Sequence, residues 1–204
     1  MAKVIAVVLA GGTSRRMGGD KRTLRLFPAS ATFLERTVAV GRASADRTVV
    51  LGGSSVSAGA SLLPDRWPGE GPLGALVTAI EAFPEDHLLL LACDYPMLQV
   101  DLIARIVEAI DGHDAAVAVE AADGRRHPLI AAYDAGRCGS VARTLFEEGG
   151  RSMGVLLDRA SVRLVGPVDA GDREAHALSL ANLNTRDELE ALRGRSLALD
   201  RHSI

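Results

Sequence analysis

The chain has 204 residues, of which 48% are hydrophobic and 24% charged, with a formal net charge of −3. That is the length of one compact domain, with enough apolar content for a sizeable core. A mildly acidic chain is not built to coat nucleic acid, so any phosphate binding must be local, in a loop.

The two cysteines, Cys93 and Cys138, form no CxxC pair and no zinc-spaced cluster, which fits a reduced cytoplasmic protein. No apolar stretch approaches the roughly 18 to 20 residues of a membrane span. The apolar start runs straight into GGTSRRMGGDK without a cleavage signal, so no signal peptide and no membrane association are expected.

VIAVVL, 4–9, is a continuous β-branched apolar run, the pattern of a strand buried on both faces. ATFLERTVAVGRA reads as a helix opened by a Thr32/Glu35 capping box. RTVVLGG, 47–53, is a second buried strand ending in glycines. GEGPLGALVTAIEAF carries Pro72 where a first helical turn tolerates it. HLLLLACD, 87–94, is the clearest buried strand, and DLIARIVEAI spaces its apolar residues as a helix. DAAVAV, 114–119, and HPLIAAYD, 127–134, read as strands, with Pro128 suited to a strand start or an edge. VARTLFEEG and SMGVLLDR read as short helices and VRLVG as a late strand. TRDELEALR closes the fold as a helix with a Thr185/Glu188 box, and 194–204 form a frayed tail.

Strand and helix alternate through the first 120 residues. The fold class is therefore α/β, a three-layer doubly wound, mostly parallel sheet of Rossmann-like type, in a single domain over 1–193. The strand near 128 breaks the alternation and can run antiparallel. Ligands of such sheets sit outside the carboxyl ends of the strands.

The chemistry gathers there. VVLAGGTSRRMGGDK fits neither GxxxxGK[ST], since Lys21 follows Asp20, nor GxGxxG, since Thr13 and Arg16 stand where glycines are needed. What remains is a tight Ala10-Gly11-Gly12 turn followed by Arg15, Arg16 and Lys21. Glycines bring backbone N–H groups close to an anion, and guanidinium and ammonium groups match phosphate oxygens. Asp94 ends a buried strand ahead of a Tyr95-Pro96 turn, a position from which a carboxylate can hold Mg²⁺. The other reading of Asp94 is a helix cap, for which Asp101 is better placed. Cys93 packs as a small hydrophobe rather than as a nucleophile, with no histidine near it in sequence. Asn182 and Asn184 alternate in a strand-like stretch and so face one way.

LAGGTSRRMGGDK resembles the LAGGxSxRMGxDK signature of the molybdenum cofactor guanylyltransferases, the MobA-type nucleotidyltransferases. LPDRWPGEGPLGAL, LACDYPML and LANLNTRDEL resemble three further segments of that family in order, from about residue 5 to 190. The resemblance implies transfer of GMP from GTP to the molybdopterin cofactor, with release of pyrophosphate. It implies Leu9, Ala10, Gly11, Gly12, Lys21, Asp65 and Asp94 around GTP, with Arg16, Lys21 and Asp94 catalytic and Asp94 on Mg²⁺. On the pterin side it implies His127, Arg151, Asn182 and Asn184, with Asn184 the member nearest the metal. Arg125 and Arg126 beside His127 are further candidates for the second substrate's phosphate. Expected partners are GTP and molybdopterin, cofactor hand-over proteins and molybdoenzyme apoproteins, with no nucleic acid, for a monomer or weak oligomer. One departure stands out: Gly52 and Gly53 occupy the place where the family can carry a nucleotide-contacting Asn. Alternatives are a cytidylyltransferase on the same pterin, whose motifs read LAAG and DIDTP, and a non-catalytic nucleotide-binding module. A nicotinamide dehydrogenase would share the sheet but lacks its fingerprint.

Overall fold

The computed structural model describes residues 2–11, 23–53, 59–183, 185 and 187–194. Gly12, Arg16, Lys21 and Asn184, like residues 195–204, lie outside these. The strands are β1 (Val4–Leu9), β2 (Arg47–Leu51), β3 (Ser61–Leu63), β4 (His87–Ala92), β5 (Ala115–Val119), β6 (Arg126–Asp134) and β7 (Val162–Val165). The helices are α1 (Phe33–Ser44), α2 (Gly71–Ala82), α3 (Val100–Glu108), α4 (Ala135–Glu147), α5 (Met153–Asp158) and α6 (Arg173–Ser179), and 187–194 are also helical. No helix among the described residues is long and apolar enough to cross a membrane.

The strands form one sheet in the order β3-β2-β1-β4-β6-β5-β7. Only β6 runs against its neighbours, antiparallel to both β4 and β5. The apolar runs seen in the sequence split by parity. Ile5 and Val7, Leu88 and Leu90 meet α2, α4 and α5 in one core, while Ala6 and Val8, Leu89 and Leu91 meet α1 and α3 in the other. A strand with covered faces on both sides has no polar position to alternate with. The three-layer α/β architecture follows.

Both capping boxes form. Thr32 and Glu35 exchange bonds of 2.7 and 3.2 Å, and Thr185 and Glu188 bonds of 3.0 and 3.2 Å. Asp101 does not cap α3; Gln99 holds that position and Asp101 falls in the first turn, where its charge favours the helix N-terminus. Three elements escape the sequence reading. β3 is three residues long, too short for any period. α4 begins at Ala135 rather than near 141, because Asp134 caps it by accepting from the Arg137 N–H at 3.0 Å. α6 is polar except for its buried face, which includes His176. Conversely, residues 181–183 belong to no strand.

Pro128 lies in an interior strand, not at an edge. Val117 pairs with Ala131 but Ala118 with His127, so residues 128–130 drop out of the β5 ladder. The proline's missing N–H therefore costs no bond to β5.

A third, smaller cluster lies apart from the sheet. Leu26, Phe33, Leu178, Leu183, Leu189 and Leu192 pack together there, joining the segment before α1 to the C-terminal helix.

Candidate active site

Four adjacent parallel strands end level. Leu9 pairs with Leu51 on one side and Ala92 on the other, and Leu51 pairs with Leu63. Ala10 and Gly11, Gly52 and Gly53, Asp65, and Cys93 and Asp94 follow these ends and make one rim. The order of strands reverses at β1, since β2 and β3 are laid to one side and β4 to the other. The crevice between β1 and β4 is thus the topological switch point, where such sheets bind ligands. The Cys93 thiol donates to the Leu9 carbonyl at 3.2 Å across it, so this sulfur ties strands together.

On the β1–β2 side the backbones are pressed together. The Ala10 N–H donates to the Leu51 carbonyl at 2.9 Å. Gly52 has φ +78°, and a Cβ there would lie 3.1 Å from both Cα and N of Gly11. The same point is 3.9 Å from Asp65 Oδ2. Asp65 is half-buried; its Oδ1 accepts from the Trp67 N–H at 2.9 Å and lies 3.4 Å from the Thr78 hydroxyl. One carboxylate oxygen is thereby fixed and the other overlies Gly52. Asp65 over the end of β2 and Asp94 at the end of β4 thus flank the end of β1 on its two sides.

Asp94 is half-buried, and its carbonyl accepts from the Leu183 N–H at 2.9 Å. The turn that follows is held by Leu98 N–H to the Tyr95 carbonyl at 3.2 Å, and by Arg36 of α1 to the Pro96 carbonyl at 2.7 Å. The Gln99 N–H donates to the buried Ser179 hydroxyl at 2.9 Å, so the end of α6 also braces the turn. Among the described residues no group of three or more His, Cys, Asp or Glu is gathered for a metal. A single carboxylate at a strand end fits Mg²⁺ all the same, because that ion is commonly held by one or two carboxylates, with water and substrate phosphates completing its shell.

Behind Asp94 runs a buried polar chain. The Tyr95 hydroxyl lies 3.0 Å from His127 Nδ1 and 3.4 Å from Asn182 Nδ2. His127 Nε2 lies 3.1 Å from Glu120 Oε1, which also accepts from Arg125 at 2.8 Å. Burial, opposed by the Glu120 charge, lowers the pKa of His127 below the ordinary imidazole value. Burial, helped by the charge of Asp94, pushes the Tyr95 phenol up to about 12. His127 is 3% exposed, with both ring nitrogens engaged, so it stands behind the rim rather than on it.

The other residues expected on the pterin side separate. Asn182 joins His127 through Tyr95. Arg151 lies with Glu70 at 2.5 Å, with the Phe146 and Gly150 carbonyls, and over the Phe146 ring, at the start of α2. Arg126 pairs with Asp158 at 2.7 Å. Tyr95 and Glu120 had no signal of their own in the sequence, one read only as part of a turn and the other lying in an ordinary charged one.

Residues 6–165 match the family described as MobA-like NTP transferase domain. A protein of Bacillus cereus (strain AH187) named probable molybdenum cofactor guanylyltransferase is 30% identical over 197 residues, covering 92% of this chain and 94% of its own. Among solved structures, molybdopterin-guanine dinucleotide biosynthesis protein A from Archaeoglobus fulgidus matches with a TM-score of 0.77 at 20% identity, over 95% of this chain and 99% of that one. A manganese complex from Mycobacterium tuberculosis H37Rv matches with a TM-score of 0.64 at 19% identity, over 95% and 99%. The two structures share the fold, and the matched family region runs from the first strand to the last. The chain therefore belongs to the MobA-like NTP transferase family and is a nucleotidyltransferase.

Proposed function

We propose that the protein transfers GMP from GTP to the molybdopterin form of the molybdenum cofactor, releasing pyrophosphate. The observation that carries this reading is the rim itself. Gly11 and Gly52 in backbone contact, Asp65 above them and Asp94 across the switch point offer a trough for an extended nucleotide. The name of the Bacillus cereus relative supports the choice of substrates.

In this mechanism an oxygen of the pterin's terminal phosphate attacks the α-phosphorus of GTP in line. The bond from that phosphorus to the β-phosphate oxygen breaks, and pyrophosphate leaves with the electron pair. The attacking phosphate is ionised at neutral pH, so no side chain has to take a proton. Lys21 and Arg16 lie in the opening loop and bring positive charge to the triphosphate. Asp65 binds the far end of the nucleotide, and Gly11 and Gly52 let it approach the backbone. Asp94 would hold Mg²⁺, which when bound supplies charge neutralisation on the phosphates. The pterin lies on the side of Asn182 and Asn184. Most of the rate enhancement is then positioning and electrostatics.

The test is transfer of label from α-labelled GTP to molybdopterin with Mg²⁺, with release of unlabelled pyrophosphate, in competition with CTP and ATP. GTP is expected to win; preference for CTP would make the protein a cytidylyltransferase. Asp94→Ala and Lys21→Ala are expected to fold normally and to lose turnover by about 10²-fold or more. Full transfer by both variants would overturn the assignment.

A further inference from the structure

We propose that Tyr95 is a positioning residue for this reaction: its hydroxyl clasps the Asp94 turn to the 182–183 segment, and Glu120, through His127, fixes the direction of that clasp. The inference rests on the reading of Asp94 as the residue serving the metal-bound nucleotide.

The direction follows from which atoms can donate. Glu120 Oε1 receives both Arg125 at 2.8 Å and His127 Nε2 at 3.1 Å. An ionised carboxylate only accepts, so His127 carries its proton on Nε2. Burial disfavours the charged ring, so Nδ1 is then a lone pair and the Tyr95 hydroxyl 3.0 Å away donates to it. With its single hydrogen committed, the phenol oxygen can only accept from Asn182 Nδ2, at 3.4 Å. Each bond orients the next, from the β5–β6 hairpin through β6 to the turn after β4 and on to the segment after α6.

A second bond doubles the connection at the neighbouring residues, the Leu183 N–H to the Asp94 carbonyl at 2.9 Å. The turn and the segment are therefore clasped once through side chains and once through backbone. Tyr95 is 6% exposed and His127 3%, so water does not compete for the bond between them. Partners that orient a metal-binding carboxylate without touching the metal ordinarily matter to affinity and rate.

Three variants test the clasp. Tyr95→Phe keeps the ring and removes the hydroxyl. His127→Asn offers an acceptor where Nδ1 stood, and so keeps the Tyr95 bond. His127→Gln offers an N–H where Nε2 stood, and so keeps only the Glu120 bond. The measurements are amide exchange at Leu183 against Leu90 in β4, and Mn²⁺ binding with GTP by paramagnetic resonance without pterin. The kcat and KM for GTP complete the set. In Tyr95→Phe, Leu183 exchange is expected to quicken and Mn²⁺ affinity and kcat to fall, each about tenfold, with Leu90 and KM little changed. In Leu183 exchange His127→Asn should stay closer to wild type than His127→Gln, which should follow Tyr95→Phe. Wild-type Leu183 exchange and Mn²⁺ binding in a folded Tyr95→Phe would overturn the proposal. So would equal effects of the Asn and Gln variants on Leu183 exchange, a comparison that decides the matter even if Tyr95→Phe does not fold. If the wild-type protein transfers no guanylyl group, the functional reading falls, whereas Leu183 exchange still judges the clasp.

Discussion

At Gly52 a departure from the resembled motif acquires a physical reason. The family can carry an Asn there, but this backbone has φ +78° and lies so close to Gly11 that a Cβ would sit 3.1 Å from it. Gly52→Ala is expected to destabilise the fold by about 1–3 kcal/mol and to weaken GTP binding, read by urea unfolding and by nucleotide titration. His127 makes a second prediction at this scale. Its pKa is lowered by burial, so the fold favours the neutral ring. That contribution is fully present above the ordinary histidine value and is lost as pH falls through the lowered one. Unfolding midpoints of the wild type should therefore drop more between about pH 7 and pH 5 than those of His127→Asn, which has nothing to titrate there. Residue chemistry was legible where position alone determines it: a carboxylate ending a buried strand, glycines after another. It was not legible where a role depends on distant partners, as for Tyr95 and Glu120, which His127 links only once β6 lies between β4 and β5.

Elements were readable in proportion to the length of their pattern. β1 and β5 are unbroken apolar runs, as are β2 after Thr48 and β4 after His87, because both faces are covered, and α1 and α3 announce themselves by a cap or by spacing. α4 was seen only in its second half, because Gly136 and Gly139 obscure its start. Gly139 has a packing reason: a Cβ there would stand 3.1 Å from Ile80 Cγ2 of α2. Replacing it with Val should push α2 and α4 apart at a cost of about 1–3 kcal/mol by thermal unfolding. Nucleotide affinity should change less than for Gly52→Ala, since α2 and α4 pack beneath the sheet rather than on its rim. β3 and α6 lacked a signal for different reasons, one being too brief to show a period and the other being defined by what it packs on. His176 Nε2, for instance, meets the Val119 carbonyl at 2.7 Å, a bond no local pattern foretells.

For the whole molecule, the sheet alone does not complete the rim. The turn bearing Asp94 relies on Leu183, which is buried in the cluster formed by residues 24–33 and 178–192. Leu189→Ala is expected to cost about 2–5 kcal/mol in denaturant unfolding and to lower activity as well, although its side chain lies in that cluster rather than on the rim. Truncation after residue 180 should leave the two sheet cores and abolish transfer. There is also a consequence for the order of synthesis. A chain growing from its N-terminus has made β1 to β4 and the Asp94 turn well before Ser179, Asn182 and Leu183, three of that turn's partners, are translated. Until those residues emerge, the rim stands without the clasp from the segment after α6, whose Leu183 is buried between the 187–194 helix and the segment preceding α1.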